Sequence, residues 1–364
     1  MEHTPLVTVL VTTYNQEKYI ALDSVLAQKT DFPFEIYVSE DCGTDGTRDI
    51  LKEYARRYPQ IIRLNLREKN VGISRNWYEG LCAARGDYVC TLEGDDWWLD
   101  DHKLQKQVDF LRSHPDYAAV SHTVLQTDDA GNTYGCEPHD PRILGKDATA
   151  ELFLEGVTYS CTACLARNLF RTPDPAREAC VTANRSIADF ALCMLYLDAG
   201  RVFVLDEPLS AYRVAGADAA HQNYNATRSA VQKYCDFLSA VAACEEYFGD
   251  KYDFDACRLA GTFFPYWDRI HDGGLKEFRA AMRQNLPAGA RRCWPGYFAA
   301  RSAKLAVASL KRRLHHGRMQ HTASAYRDHS SVQGSGDLGP MPGEHPQSGG
   351  AGTSGGADRG RQPG

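Results

Sequence analysis

No stretch of this sequence approaches the roughly 18 consecutive apolar residues that a membrane-spanning helix requires. Nor is there an excess of basic charge. The chain has 41 Lys and Arg against 47 Asp and Glu, a formal net charge of −6 over 364 residues, which argues against a general nucleic-acid binder. The first five residues, MEHTP, are polar and run directly into a strand-like segment, so no signal peptide is expected. Cysteine is plentiful, at 12 residues, but Cys161-Thr162-Ala163-Cys164 has no second CxxC pair and no histidines at ligand spacing, which leaves a zinc site without support. Cys82, Cys90, Cys193, Cys235 and Cys244 lie within apolar or helical patterns of a chain too large to need disulfides. Reduced, buried thiols and a cytoplasmic setting are therefore expected.

What is present begins with alternation. Residues 6–12 (LVTVLVT) form a β-branched run expected to be a buried strand. Residues 17–28 carry Leu22, Val25 and Leu26 at helical spacing. Residues 34–38 read as a second strand, and a turn-rich loop over 39–47 leads to a helix with Ile50, Leu51, Tyr54 and Tyr58 on one face, stopped by Pro59. A strand over 61–66, a helix over 74–85, a strand over 87–92, a helix marked by Leu104, Val108 and Leu111, and a strand over 117–124 follow. Such alternation predicts an α/β architecture with a mostly parallel, Rossmann-like sheet flanked by helices. Further on, residues 188–199 predict a helix and 201–205 a strand, and the chain reads as helical from about residue 226.

Each of the first four strands ends in a polar cluster: Thr12-Thr13-Tyr14-Asn15-Gln16-Glu17, then residues 40–47, then Asn70 to Asn76, then Glu93-Gly94-Asp95-Asp96. Ligands of open parallel sheets bind beyond the carboxyl ends of the strands, so four segments aim hydrogen-bonding and acidic groups at one edge. Three carboxylates within residues 93–96 repel one another, and a hard divalent cation with oxygen ligands, shared with a substrate phosphate, relieves that repulsion. A solvated loop capping the next helix is the competing reading. Trp97 and Trp98 read as wall or packing residues.

The run VTTYNQEKYI, then SEDCGTDGT, then NVGISRNW, then LEGDDWWLDDHKLQKQVDFL resembles the inverting family 2 glycosyltransferases of GT-A fold, particularly bacterial enzymes of surface-polysaccharide assembly. The likeness is dense over about residues 5–125 and thinner to about 215. It implies a nucleotide-diphosphate sugar donor, UDP- or dTDP-linked, a Mn²⁺ or Mg²⁺ cofactor, and a glycan or lipid-linked acceptor. On this resemblance Thr12, Tyr14 and Glu17 meet the nucleoside, and Asp41 accepts from a uracil or thymine N3–H. Arg75 approaches the base or diphosphate, and Asp95 and Asp96 hold the metal and ribose–diphosphate. Glu93 stands where many members carry Asp. Asp189 matches the catalytic base, with Ala188 where Glu is usual, and Tyr212-Arg213 and His221 resemble the closing segment, with His221 a candidate further metal ligand.

The resemblance and the composition together divide the chain into a GT-A catalytic domain over 1–215 (nucleotide-sugar half about 1–125, acceptor half about 126–215), a helical extension over 216–317, and a low-complexity tail over 318–364. The tail lacks the apolar residues to bury and is expected to be disordered. Its two GxGxxG matches, beginning at Gly334 and Gly350, follow no strand and open no helix, so they carry no meaning as dinucleotide fingerprints. Within the extension, residues 296–318 contain Arg301, Lys304, Lys311, Arg312, Arg313 and Arg318 and no acid, beside an apolar stripe of Phe298, Leu305, Ala306, Leu310 and Leu314. This pattern fits a helix lying on an anionic inner membrane face, or one packed on the catalytic domain with solvated charges. Two other functions compete with sugar transfer. Nucleotidyl transfer to a sugar phosphate would call for a Gly-rich loop after the first strand, where Thr-Tyr-Asn stands instead. A non-catalytic sugar-nucleotide binder gains from Ala188 and Glu93.

Overall fold

The VTVLVTT run of β1 (Val7–Thr13) is buried along its whole length, as an interior strand of a ten-stranded sheet. The computed structural model describes residues 4–18, 21–128, 132–138, 140–214, 228–255, 257–258 and 280. Side chains alternate across a strand, so Val7, Val9 and Val11 face one side of the sheet and Leu10 the other. The first set packs with Leu22, Val25, Leu51, Leu104, Val108 and Leu111. Leu10 packs into a second core with Trp77, Leu81, Phe153, Phe190 and Leu192. Helices thus cover both faces, which is why β1 carries no charged residue and even its threonines Thr8, Thr12 and Thr13 are buried.

The chain continues through α1 (Leu22–Leu26), β2 (Phe34–Glu40), α2 (Thr47–Arg57), β3 (Ile62–Leu66), α3 (Ile73–Cys82), β4 (Tyr88–Glu93), β5 (Trp97–Trp98), α4 (Lys103–Ser113) and β6 (Tyr117–Thr127). Then come β7 (Thr133–Glu137), β8 (Lys146–Ala148), α5 (Ala150–Leu154), β9 (Leu165–Arg167), α6 (Pro175–Thr182), α7 (Asp189–Ala199), β10 (Arg201–Arg213) and α8 (Ala230–Phe248). Sheet order is β3-β2-β1-β4-β9-β6-β10-β5. Strands β1 to β4 are mutually parallel. Short β9 runs antiparallel to both β4 and β6, and β10 returns parallel to β6, so the acceptor half is joined through an antiparallel splice. From β1 the chain steps outward to β2 and β3, then crosses back to place β4 on the other side of β1. Strand order therefore reverses between β1 and β4, the position at which such sheets bind ligands.

Three expectations are corrected in extent. The helix expected over 17–28 is confined to Leu22–Leu26, because Gln16 and Glu17 are tied to the loop before α2: Gln16 N–H donates to Thr47 Oγ1 at 2.8 Å and Glu17 N–H to Asp45 at 3.0 Å. The helix expected over 74–85 ends at Cys82. The strand expected over 201–205 runs on to Arg213, with a register shift where Pro208 lacks an amide to give to the ladder. Cys161 and Cys164 are buried. The Cys161 thiol is pushed up by its hydrogen bond with Cys193 and by burial.

Helix α8 opens with a capping box between Ser229 and Gln232 and packs on α6 and α7. Its Ala240, Val241 and Cys244 share the core that holds Phe190, so the start of the extension is continuous with the acceptor half. Among the described residues no helix is long and apolar enough to cross a membrane. His221, residues 296–318 and the tail lie outside the described residues.

Candidate active site

The backbone itself gathers the polar loops. Beyond the paired strands, Gly94 N–H donates to Thr12 O at 2.9 Å, Asp41 N–H to Thr13 O at 3.0 Å, and Ala21 N–H to Gly94 O at 3.1 Å. Gly94 is required for this closure. A Cβ there would lie 2.3 Å from Gln16 Oε1 and 2.6 Å from Thr13 Cγ2. Thr13 Oγ1 and Gln16 Oε1 are buried with no hydrogen-bond partner among the described residues, at the point where strand order reverses.

The acids converge here. Asp95 and Asp96 are buried. Gln16 Nε2 donates to Asp95 Oδ1 at 3.0 Å. From the end of β10, Arg213 N–H donates to Asp96 Oδ1 at 3.0 Å and Arg213 Nε to the Asp95 carbonyl at 3.0 Å, while its guanidinium lies 4.8 Å from the Trp97 ring centroid. The Asp96 carboxyl is held well above the usual range by burial and by the charges of Asp95 and Glu93, with Arg213 offsetting only part. Half-buried Glu93 is pushed up to about 8 by burial and by the charges of Asp95 and Asp189.

This electrostatic contact brings in α7, distant in sequence. Asp189 is the first residue of α7, after Ala188. It is open to solvent by surface area, yet protein surrounds it closely enough that burial raises its carboxyl. Its own amide and that of Phe190 oppose the shift. An open recess with protein on most sides accounts for both observations. The preceding turn is held by Asn184, whose Oδ1 accepts from Ser186 N–H at 2.7 Å and Ile187 N–H at 3.1 Å, and whose Nδ2 donates to Asp236 at 2.9 Å on α8.

The other predicted residues are dispersed over several tasks. Thr12 Oγ1 accepts from Trp77 Nε1 at 2.8 Å, and Tyr14 is 47% exposed at the rim. Glu17 places its carboxylate on Gly46 N–H at 2.7 Å, at the start of α2. Asp41 is buried, and its two carboxylate oxygens accept from Val71 and Gly72 N–H, each at 2.8 Å. Arg75 pairs with Glu178 at 2.9 Å and Glu79 at 3.5 Å, so its guanidinium is committed toward α6. The structure thus brings Thr12, Asp95, Asp96 and Asp189 around the strand reversal and attaches Asp41 through Thr13. Sequence reasoning missed Gln16, whose one signal was its place in the first polar cluster, and Arg185, which carried none.

Among the described residues no group of three or more His, Cys, Asp or Glu side chains is arranged to hold a metal ion. The donor set that is present, Asp95 and Asp96, is all oxygen and made repulsive by burial. That fits a hard cation which takes one or two carboxylates and completes its shell from phosphate and water.

Residues 8–170 match the profile of glycosyl transferase family 2. An uncharacterized protein of Mycobacterium tuberculosis is 34% identical over 228 residues, covering 59% of this chain and 61% of that protein, so the chain spans about 61% of the length of this relative. TuaG of Bacillus subtilis, provisionally named a teichuronic acid biosynthesis glycosyltransferase, is 40% identical over 110 residues, 29% of this chain and 42% of TuaG. The solved structure of Staphylococcus aureus TarS 1–349 with UDP-GlcNAc superposes with a TM-score of 0.51 at 17% identity, covering 80% of this chain and 79% of that one, a likeness of fold. Residues 8–170 are thus similar to glycosyl transferase family 2, and the sheet has the GT-A fold.

Proposed function

We propose that this protein transfers a sugar, with inversion, from a nucleotide-diphosphate donor to a hydroxyl of a glycan or lipid-linked acceptor in bacterial surface-polysaccharide synthesis. One observation carries the reading: four acids from two distant segments, Glu93, Asp95, Asp96 and Asp189, share one electrostatic field at the strand reversal of a family 2 domain. The relation to TuaG supports the polysaccharide context.

Asp95 and Asp96 hold a Mn²⁺ or Mg²⁺ ion, with His221 a further candidate ligand; bound there, the cation neutralises charge on the departing diphosphate. Gln16 and Arg213 keep the two carboxylates in place. Thr12, Tyr14 and Glu17 border the nucleoside. Asp41, whose oxygens each take one amide, retains a second lone pair on each to accept from a base N3–H. Asp189 removes the proton of the acceptor hydroxyl as its oxygen attacks the anomeric carbon, opposite the breaking bond to the nucleotide. Its raised pKa makes it a stronger base than an ordinary aspartate. The basic segment 296–318 brings the enzyme to the inner face of the membrane, where a lipid-linked acceptor lies.

The test is nucleotide release from a panel of UDP- and dTDP-sugars, with Mn²⁺ and with chelator. Release that needs the cation supports the reading; no release and no nucleotide binding from any donor would overturn it.

A further inference from the structure

The segment leading into α7 does not merely abut the nucleotide half; it is fastened to it. Arg185 lies across Gly72, and its Nη2 donates to the Asn70 carbonyl at 3.1 Å and also to Asn70 Oδ1. In return, Ser74 N–H donates to Arg185 O at 3.3 Å. Asn70 Nδ2 donates to the Asp41 carbonyl at 3.0 Å, and the Asp41 carboxylate holds the amides of Val71 and Gly72. Gly72 has φ +88, a conformation L side chains rarely adopt, and a Cβ there would stand 2.4 Å from Arg185 Cγ. From Asp41 to Arg185 the contacts are continuous, and Asp189 begins a helix four residues beyond.

We infer that Arg185 is a positioning residue for Asp189: it locks the segment carrying the base onto the loop that Asp41 clamps. The inference rests on the reading of Asp189 as the base. Asn184 anchors the same turn to α8 from the other side, so Arg185 supplies the tie to the nucleotide half. Arg185 is exposed, and its removal leaves no buried cavity. Its loss therefore acts on geometry rather than on folding, and a base displaced by about 1 Å loses on the order of 100-fold in rate.

The experiment is a double-mutant cycle on the full chain. Wild type, Arg185→Ala, Asp189→Asn and the double variant are compared for UDP release from UDP-glucose, UDP-galactose, UDP-GlcNAc and UDP-glucuronic acid with Mn²⁺, and for UDP binding by calorimetry. Gly72→Ala, which displaces the same arginine, serves as a second variant. The expected result is a loss of kcat on the order of 10- to 100-fold for Arg185→Ala, with UDP affinity and Tm retained, and a double variant no slower than Asp189→Asn. Wild-type kcat in Arg185→Ala, or losses that multiply in the double variant, would overturn the inference and leave the base assignment standing. Full activity of Asp189→Asn alone would remove the base assignment and the inference with it.

Discussion

Gln16 Nε2 reaches Asp95 Oδ1 at 3.0 Å across the junction of β1 and β4, both side chains buried. The bond ties the first polar loop to the acid pair, and Gly94 makes room for it. Hydrogen bonds to charged groups contribute about 1.5–3 kcal/mol.

Replacing Gln16 by Leu removes the donor while preserving bulk. The added affinity that Mn²⁺ confers on UDP should fall by roughly ten- to a hundredfold. UDP affinity in chelator should change little. Calorimetric titrations in the two conditions separate these effects, and an equal loss in both would mean that Gln16 only supports the fold.

Asp95→Ala and Asp96→Ala should each lower cation-dependent nucleotide release by on the order of 100-fold or more, since each removes charge stabilisation focused on the leaving group. Release assayed over a Mn²⁺ series measures this. Near-normal turnover in both variants would exclude the pair as the cation site.

Asp189→Asn keeps size and helix position but cannot accept a proton at neutral pH. Donor binding should be unchanged, whereas transfer should drop about 100- to 10,000-fold, the contribution of a positioned base. Binding and turnover measured on one preparation decide the point.

His122, on β6, is fully buried, with Nδ1 2.8 Å from Thr123 O and Nε2 without a partner among the described residues. Burial, aided by the charge of Lys103, holds its pKa well below 6.5. Between that lowered value and 6.5 the unfolded chain binds a proton that the folded one refuses, so stability falls as pH drops through this window. The slope is at most about 1.4 kcal/mol per pH unit from this group. Urea midpoints at pH 7.5 and 5.5 should differ less for His122→Gln than for wild type.

Much of the fold was legible locally. The runs that became β1, β2, β3 and β4 announce themselves by β-branched and aromatic residues bounded by turn formers, and the polar clusters at their ends follow directly. The DD pair was legible as a candidate as well, because adjacent carboxylates repel one another once they are buried, as Asp95 and Asp96 are. Glu17 was misread. The spacing of Leu22, Val25 and Leu26 predicts a helix over 17–28 that begins with Glu17, but the Glu17 carboxylate and amide belong to the α2 loop, some thirty positions on. No periodicity records such a partner.

What the sequence determined by itself is the likeness to a family, the strands and the chemistry available at their ends, since these depend on neighbours along the chain. Only the tertiary structure decided that β4 returns beside β1, that Gln16 and Arg213 flank the aspartates, and that the charge of Asp189 acts on Glu93. Those outcomes depend on which surfaces meet when both faces of the sheet are covered, and electrostatic fields and hydrogen bonds follow distance through space rather than separation in sequence.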